Sequence, residues 1–70
     1  MKYILKCDDY YLSDINYLFD EFGKIIIIDY QIGKEFKKVI SNFEVASEIR
    51  KEIFIETGLS LEIKRFKKGE

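Results

Sequence analysis

Residues 25–28 of this chain are four consecutive isoleucines, within the stretch GKIIIIDY. β-Branched residues favour strands, and a strand points successive side chains to opposite faces of a sheet. The run therefore predicts a strand that is apolar on both faces. Because the chain has only 70 residues, it buries only about 60% of the surface of its unfolded state, and little material is left to cover the second face.

The composition predicts one folded domain over residues 1–70, since 47% of the residues are apolar and 36% are charged. Cys7 is the single cysteine and there is no histidine, which excludes an internal disulfide and a zinc site and favours a reducing, cytoplasmic location. No stretch approaches the roughly 20 apolar residues of a membrane span, and the N-terminal apolar run is too short for a signal peptide. We expect no cofactor, no bound metal and no membrane partner.

The first half of the chain predicts a strand, a helix and a hairpin. KYILKC, residues 2–7, alternates as a strand does, with Tyr3, Leu5 and Cys7 on one face. A helix is predicted next, between Ser13 as its N-cap and Gly23 as the residue that ends it. Its apolar positions have helical spacing and are Ile15, Leu18, Phe19 and Phe22. Two β-rich runs, residues 24–32 and 35–40, flank Gly33-Lys34, which is typical of a two-residue type II′ hairpin that pairs Tyr30 with Lys37.

The second half predicts a helix and a last strand. Ser41 and Glu44 have the spacing of a capping box, and Thr57-Gly58 would end a helix whose core positions are Val45, Ala46, Ile49 and Ile53. LSLEIKRF then alternates with Leu59, Leu61 and Ile63 inward. The order β-α-β-β-α-β predicts an α+β, ferredoxin-like fold, a four-stranded antiparallel sheet in order 4-1-3-2 with two helices on one face.

In that fold the isoleucine strand lies at a sheet edge, and either Ile25 and Ile27 or Ile26 and Ile28 point away from the helices. A flat, apolar edge strand promotes self-association. One interpretation is that Phe66 or Tyr30 of the same chain covers the exposed pair. The other is that another chain, such as a second copy in a homodimer, covers it through Ile26, Ile28 and Tyr30.

Two further segments indicate contacts with another protein. In the second predicted helix an acidic ridge is formed by Glu44, Glu48, Glu52 and Glu56, with Phe54 nearby, and the loop DDYYLSD contributes Tyr10 and Tyr11. Acidic and aromatic side chains together give a docking surface both orientation and affinity, although most acidic ridges are simply solvated helix faces. We therefore expect a small non-enzymatic protein-binding module that acts as an adaptor, regulator or inhibitor of a larger assembly. Phages and mobile elements encode proteins of this kind.

The alternative is single-stranded RNA or DNA binding across a basic sheet face. Its residues are Lys6, Lys37, Lys38, Lys64 and Arg65, interleaved with Tyr30, Phe36 and Phe66. Basic groups and aromatic rings are the general ingredients of single-strand binding. The predicted fold also resembles RNA-recognition motifs, but EFKKVIS lacks their K/R-G-F/Y-G/A-F pattern. A formal net charge of −1 argues against tight nonspecific binding.

Candidate catalytic groups are scarce. The lack of histidine excludes histidine-based acid-base and nucleophilic chemistry, and no glycine-rich phosphate loop is present. YILKCDD, residues 3–9, resembles the first strand of Cas2-type endoribonucleases, which place an aspartate at its end. That resemblance implies a weaker alternative, a metal-dependent nuclease in which Asp8 or Asp9 of two chains meet around magnesium. The other interpretation, a polar loop, leaves the protein without catalytic residues.

Overall fold

The computed structural model of the chain describes residues 1–67. Its elements, in chain order, are β1 (Tyr3–Cys7), β2 (Tyr10–Phe19), β3 (Ile25–Gly33), α1 (Phe43–Thr57) and β4 (Glu62–Arg65). The strands form one antiparallel sheet in the order β3-β2-β1-β4, and α1 contacts β1, β3 and β4. The ferredoxin-like prediction is therefore wrong, because residues 1–67 contain one helix rather than two and the strand order differs.

The main error concerns residues 13–22, predicted as a helix, since most of this segment belongs to β2. Ser13 does not cap a helix: its Oγ donates a hydrogen bond to the carbonyl of Gln31 on β3, at 3.1 Å. Ser13 lies at a β-bulge, because Leu12 pairs with Ile32 while Asp14 pairs with Gln31. The extra residue keeps Leu12 and Ile15 on the same face although they are three positions apart.

A tight turn joins β2 to β3. The Oδ1 atom of Asp20 accepts hydrogen bonds from the backbone N–H groups of Phe22 and Lys24, at 2.9 and 2.8 Å. The N–H of Gly23 donates to the Asp20 carbonyl, and Gly23 has a φ of +79°. This is a type I turn followed by a left-handed residue, a common hairpin loop. Gly23, predicted to end a helix, instead supplies the positive φ of this hairpin.

The hairpin predicted at Gly33-Lys34 is also wrong. Tyr30 pairs with Ile15 of β2 and not with Lys37. The chain beyond β3 returns to the sheet, where the backbone of Ile40 exchanges two 2.8 Å hydrogen bonds with Tyr3 of β1. The N–H of Lys38 donates to the carbonyl of Leu12 on β2. Residues 38–40, here called the wedge, thus lie between β1 and β2, which pair directly only near their connecting turn.

The prediction of α1 is confirmed, except at its first residue. Asn42 is the N-cap, and its side chain accepts hydrogen bonds from the N–H groups of Glu44 and Val45, at 2.8 and 3.3 Å. The capping box predicted at Ser41 is therefore one residue too early. Gly58 ends the helix with a φ of +77°, which glycine adopts without steric cost.

The core lies between α1 and one face of the sheet. Ala46, Ile49 and Ile53 of the helix are fully buried, as predicted. The sheet and its connections contribute Leu5, Leu12, Ile15, Ile25, Ile40 and Leu61. No helix of residues 1–67 packs on the other face of the sheet. We call that surface the open face.

Candidate interaction surface

Three exposed aliphatic side chains meet at one corner of the open face. Leu18 and Ile26 form a cross-strand pair, and alternation along β3 places Ile28 on the same side. Their exposed fractions are 46%, 46% and 62%, whereas Ile25 is 3% exposed. Of the two orientations left open for the isoleucine run, Ile26 and Ile28 are thus the outward pair. We call Leu18, Ile26 and Ile28 the apolar corner.

The apolar corner borders a free sheet edge. β3 is the outermost strand beyond β2, as expected for the isoleucine strand, and extends over nine residues. Its one charged residue is Asp29, and its regular pairing is broken by one bulge at Ile28. Edge strands expose unpaired backbone N–H and C=O groups, and charges or bulges limit association there. β3 has little of that protection.

A polar band follows along β2 and β3. Nδ2 of Asn16 donates a hydrogen bond to Oδ1 of Asp29, at 2.7 Å, and Asp14 pairs with Gln31. Neither strand contains lysine or arginine. The open face of this half of the sheet is consequently apolar at one end and acidic in the middle.

The rest of the open face, which comprises β1, β4 and the first residues of β2 and which we call the basic half, is basic and aromatic. Tyr11 lies under two ammonium groups, those of Lys37 at 4.7 Å and Lys6 at 5.8 Å from the ring centroid. Lys64 pairs with Ile4 on the same face, and its Nζ is 4.0 Å from the carboxylate of Glu62. Both side chains of that pair are more than half exposed, so the ion pair is weak. Lysines thus dominate this half.

The side chains predicted to bind another protein do not form one surface. Tyr11 lies on the open face, whereas Tyr10 pairs with Cys7 on the helix side, with the ammonium of Lys34 5.1 Å from its ring. Phe54 and Glu52 are two residues apart, and an α-helix turns by about 200° over two residues, so they point to opposite sides of α1. The structure therefore separates the set Tyr10, Tyr11, Phe54, Glu44, Glu48, Glu52 and Glu56.

The clefts beside α1 show the same separation. Glu44 and Glu48 line a cleft with Phe19 and Ile25 of the β2–β3 hairpin. Phe54 instead lines a cleft with Arg50 and Leu61 near β4. The acidic ridge therefore borders the β3 side of the helix, and its predicted aromatic neighbour borders the β4 side.

The residues predicted to bind nucleic acid and those predicted to mediate self-association are only partly brought together. Lys6, Lys37 and Lys64 share the open face, but Arg65 pairs with Tyr3 on the helix side and Lys38 belongs to the wedge. Tyr30 packs against the core and faces away from Ile26 and Ile28. Phe66, the other residue suggested to cover the isoleucines, follows β4 at the opposite sheet edge.

Sequence reasoning missed Leu18 and Phe22 as surface residues, because both were placed in the core of a helix. Phe22 is 86% exposed at the tip of the β2–β3 hairpin, beside an open cleft of about 550 Å³ shared with Phe43 and Glu48. The signal for this turn was present, since Asp20 and Gly23 occupy the first and fourth positions that type I turns favour.

Within residues 1–67 no polar or charged side chain is buried, and no group of three or more His, Cys, Asp or Glu residues is placed to hold a metal ion. Asp8 and Asp9 form the turn between β1 and β2, and Asp8 has a φ of +54°. The element order that made the Cas2-type resemblance attractive is not the order of this chain. No helix in the described part of the chain has the length and apolarity to cross a membrane.

The apolar corner and the basic half of the open face are therefore the two candidate sites. No family model, curated protein or solved structure matches this chain.

Proposed function

We propose that this chain is a protein-binding module that acts without catalysis. Its docking surface is the apolar corner together with the free edge of β3. The observation that carries the proposal is the exposure of Leu18, Ile26 and Ile28 side by side, next to a nine-residue edge strand. Adjacent exposed apolar side chains and unpaired strand edges are features that partner proteins cover.

The energetics favour a partner that uses both features. Complete burial of a Leu or Ile side chain is worth about 1.5–3 kcal/mol, so covering the exposed half of each contributes about 1 kcal/mol. Each backbone hydrogen bond made by an added strand contributes about 0.5–1.5 kcal/mol. By covering a surface of its partner, such a module acts as an adaptor, regulator or inhibitor.

Site-specific photo-crosslinking tests the proposal with a matched control. A photo-reactive amino acid at position 28 on the apolar corner is compared with one at position 55 on α1, because Ile28 and Ile55 are 62% and 64% exposed. We expect a discrete crosslinked polypeptide, in an extract of the source cells or from a second copy, at position 28 and not at position 55. Equal labelling at both positions, or none at either, would refute docking at this corner.

Single-stranded nucleic-acid binding is the second candidate, favoured by the two lysine ammonium groups over Tyr11. The test is fluorescence anisotropy of a labelled oligothymidylate or oligouridylate during a salt titration. Lys37→Ala should lower the slope of log affinity against log salt by about 1, whereas Lys51→Ala on α1 should not. Absence of binding at low salt would eliminate this candidate.

A further inference from the structure

We infer that the free edge of β3 pairs with the same edge of a second copy of this chain, antiparallel and about a two-fold axis perpendicular to the sheet. The inference rests on the proposed function, since it names the partner that occupies the edge beside the apolar corner. The two four-stranded sheets then form one continuous sheet. The evidence is the composition of the two sheet edges and the arrangement of the groups that β3 presents.

The two edges of the sheet differ in how well they are protected against pairing. β4, the outermost strand at one edge, has three charged residues among its four, which are Glu62, Lys64 and Arg65. β3, at the other edge, has Asp29 as its one charged residue, and its first four residues are isoleucines. Charged side chains on an edge oppose pairing with another strand. Pairing through β3 therefore gives a closed dimer, because only the charged β4 edges remain at its ends.

The backbone groups of the isoleucine run alternate between β2 and the free edge. The N–H of Asp20 donates to the carbonyl of Lys24, at 2.8 Å, so this carbonyl points toward β2. Alternation along the strand then directs the N–H and C=O groups of Ile25 and Ile27 away from β2. Before the bulge at Ile28, β3 thus offers two donors and two acceptors at regular spacing to another strand.

These groups fit a second copy of β3 in one register. A two-fold axis beside Ile26 places Ile25 opposite Ile27 of the other copy, and the two residues exchange a pair of hydrogen bonds. Symmetry repeats the contact, so all four outward groups of each strand are paired. An axis beside Ile27 would instead place Ile25 opposite Asp29, beyond the bulge, and leave only Ile27 regularly paired. The register centred on Ile26 is therefore favoured.

The charges at the ends of the run also match in this arrangement. Lys24 precedes the isoleucines and Asp29 follows them, in the sequence KIIIID. Antiparallel pairing brings Lys24 beside Asp29 of the other copy, once on each side of the axis. On the helix side Glu44 and Glu48 line clefts near this edge, and Lys51, beside one of these clefts, offsets part of their charge. The charges that flank the run therefore favour the antiparallel contact.

The same register joins the two apolar corners. Leu18 pairs with Ile26 within each copy, so the two residues and their symmetry mates lie in one row across the paired sheets. Ile26 is 46% exposed, and its pairing with itself removes part of this apolar surface from water. Apolar cross-strand pairs of this kind stabilise a sheet.

Substitutions at position 26 test the axis, because this residue lies opposite itself. Ile26→Lys and Ile26→Glu each place like charges opposite one another, and we expect each to weaken the dimer at least about tenfold. An equimolar mixture of the two variants places opposite charges across the axis and should regain most of the affinity as a heterodimer. Sedimentation equilibrium of the full chain up to about 1 mM measures the association. Circular dichroism should show an unchanged fold, since the substituted side chain is exposed.

Two further variants locate the contact. Ile55→Lys on α1 makes the same substitution at a residue that is 64% exposed and should leave the dimer unchanged. Leu18→Lys distinguishes pairing of the edges from packing of the open faces. Position 18 lies one strand behind the edge, roughly 14 Å from its symmetry mate. Edge pairing therefore predicts a far smaller loss for Leu18→Lys than for Ile26→Lys, whereas face packing predicts an equal loss.

A strict monomer, an equal loss for Leu18→Lys and Ile26→Lys, or a mixture that associates no better than either variant alone would overturn the inference. A monomer that still crosslinks to another protein at position 28 would remove the second copy while preserving the proposed function. A monomer without such crosslinks would remove both.

Discussion

The burial of two leucines of β2 distinguishes the helix suggested by the sequence from the strand in the structure. Leu12 is fully buried between sheet and helix, whereas Leu18 is 46% exposed on the open face. In a helix over residues 13–22, Leu18 would belong to the core and Leu12 would lie before its first turn. Truncating each leucine to alanine therefore tests the fold itself.

We expect Leu12→Ala to lower the free energy of unfolding by about 2–5 kcal/mol, the cost of removing buried methyl groups and leaving a cavity. A chain of this size has a total stability of roughly 3.5–10 kcal/mol. Leu18→Ala removes a side chain that is already half in water, so its cost should stay below about 1 kcal/mol. The melting temperature should differ between the two variants by about 5 °C or more.

The measurement is urea unfolding followed by far-ultraviolet circular dichroism and tyrosine fluorescence. Low micromolar protein limits self-association through the apolar corner, which would cover Leu18 and add to the apparent stability. A larger loss for Leu18→Ala than for Leu12→Ala would contradict β2 and restore the helical interpretation.

Two predictions concern turn and cap geometry. Gly23→Ala should destabilise the chain by about 1 kcal/mol, because Gly23 has a φ of +79° with open space around it, while Gly33→Ala, at a position without positive φ, should be nearly neutral in thermal melts. Asn42→Ala should lower the free energy of unfolding in urea by about 0.5–2 kcal/mol, because the helix loses its cap. Ser41→Ala should leave it almost unchanged. The reverse order would support the capping box predicted from the sequence.

The elements that sequence analysis predicted correctly are those with unbroken periodicity. In α1 the core positions Ala46, Ile49 and Ile53 keep the helical spacing throughout, and Gly58 marks the end. In β1 and the segment leading into β4, strict alternation places Leu5 and Leu61 in the core. In α1 and the segment leading into β4 a single face is buried, so the apolar pattern reports the geometry directly, whereas in β1 Ile4 on the other face is buried as well.

The error in β2 has a definite physical cause. Of the four apolar residues whose spacing suggested a helix, Ile15 is buried, whereas Leu18, Phe19 and Phe22 are 46%, 53% and 86% exposed, so their spacing does not mark one buried face. Gly23 then reinforced the mistake, because a helix end and this hairpin loop both require a left-handed residue. Periodicity cannot show whether apolar residues with helical spacing share one buried face or lie exposed on a strand and its turn.

The candidate surface was predicted in part. The edge position of the isoleucine strand was inferred from a strand order that the structure contradicts, although β3 is an edge strand here too. The length of the run predicted that one alternate pair of isoleucines would be exposed, and the structure shows that this pair is Ile26 and Ile28. Leu18 was missed, since its exposure depends on pairing with Ile26 across a hairpin that the sequence did not predict. A surface formed by residues of two strands could not be predicted from the pattern of either strand alone.

The position of the wedge indicates the order in which the sheet assembles during folding. The β2–β3 hairpin forms from neighbours in sequence, but the contact between Tyr3 and Ile40 joins distant parts of the chain, and long loops close slowly because closure must precede any stabilising contact. We therefore expect the hairpin to form first and the wedge to pair with β1 late in folding. Substitutions at Ile40 should consequently accelerate unfolding more than they slow folding.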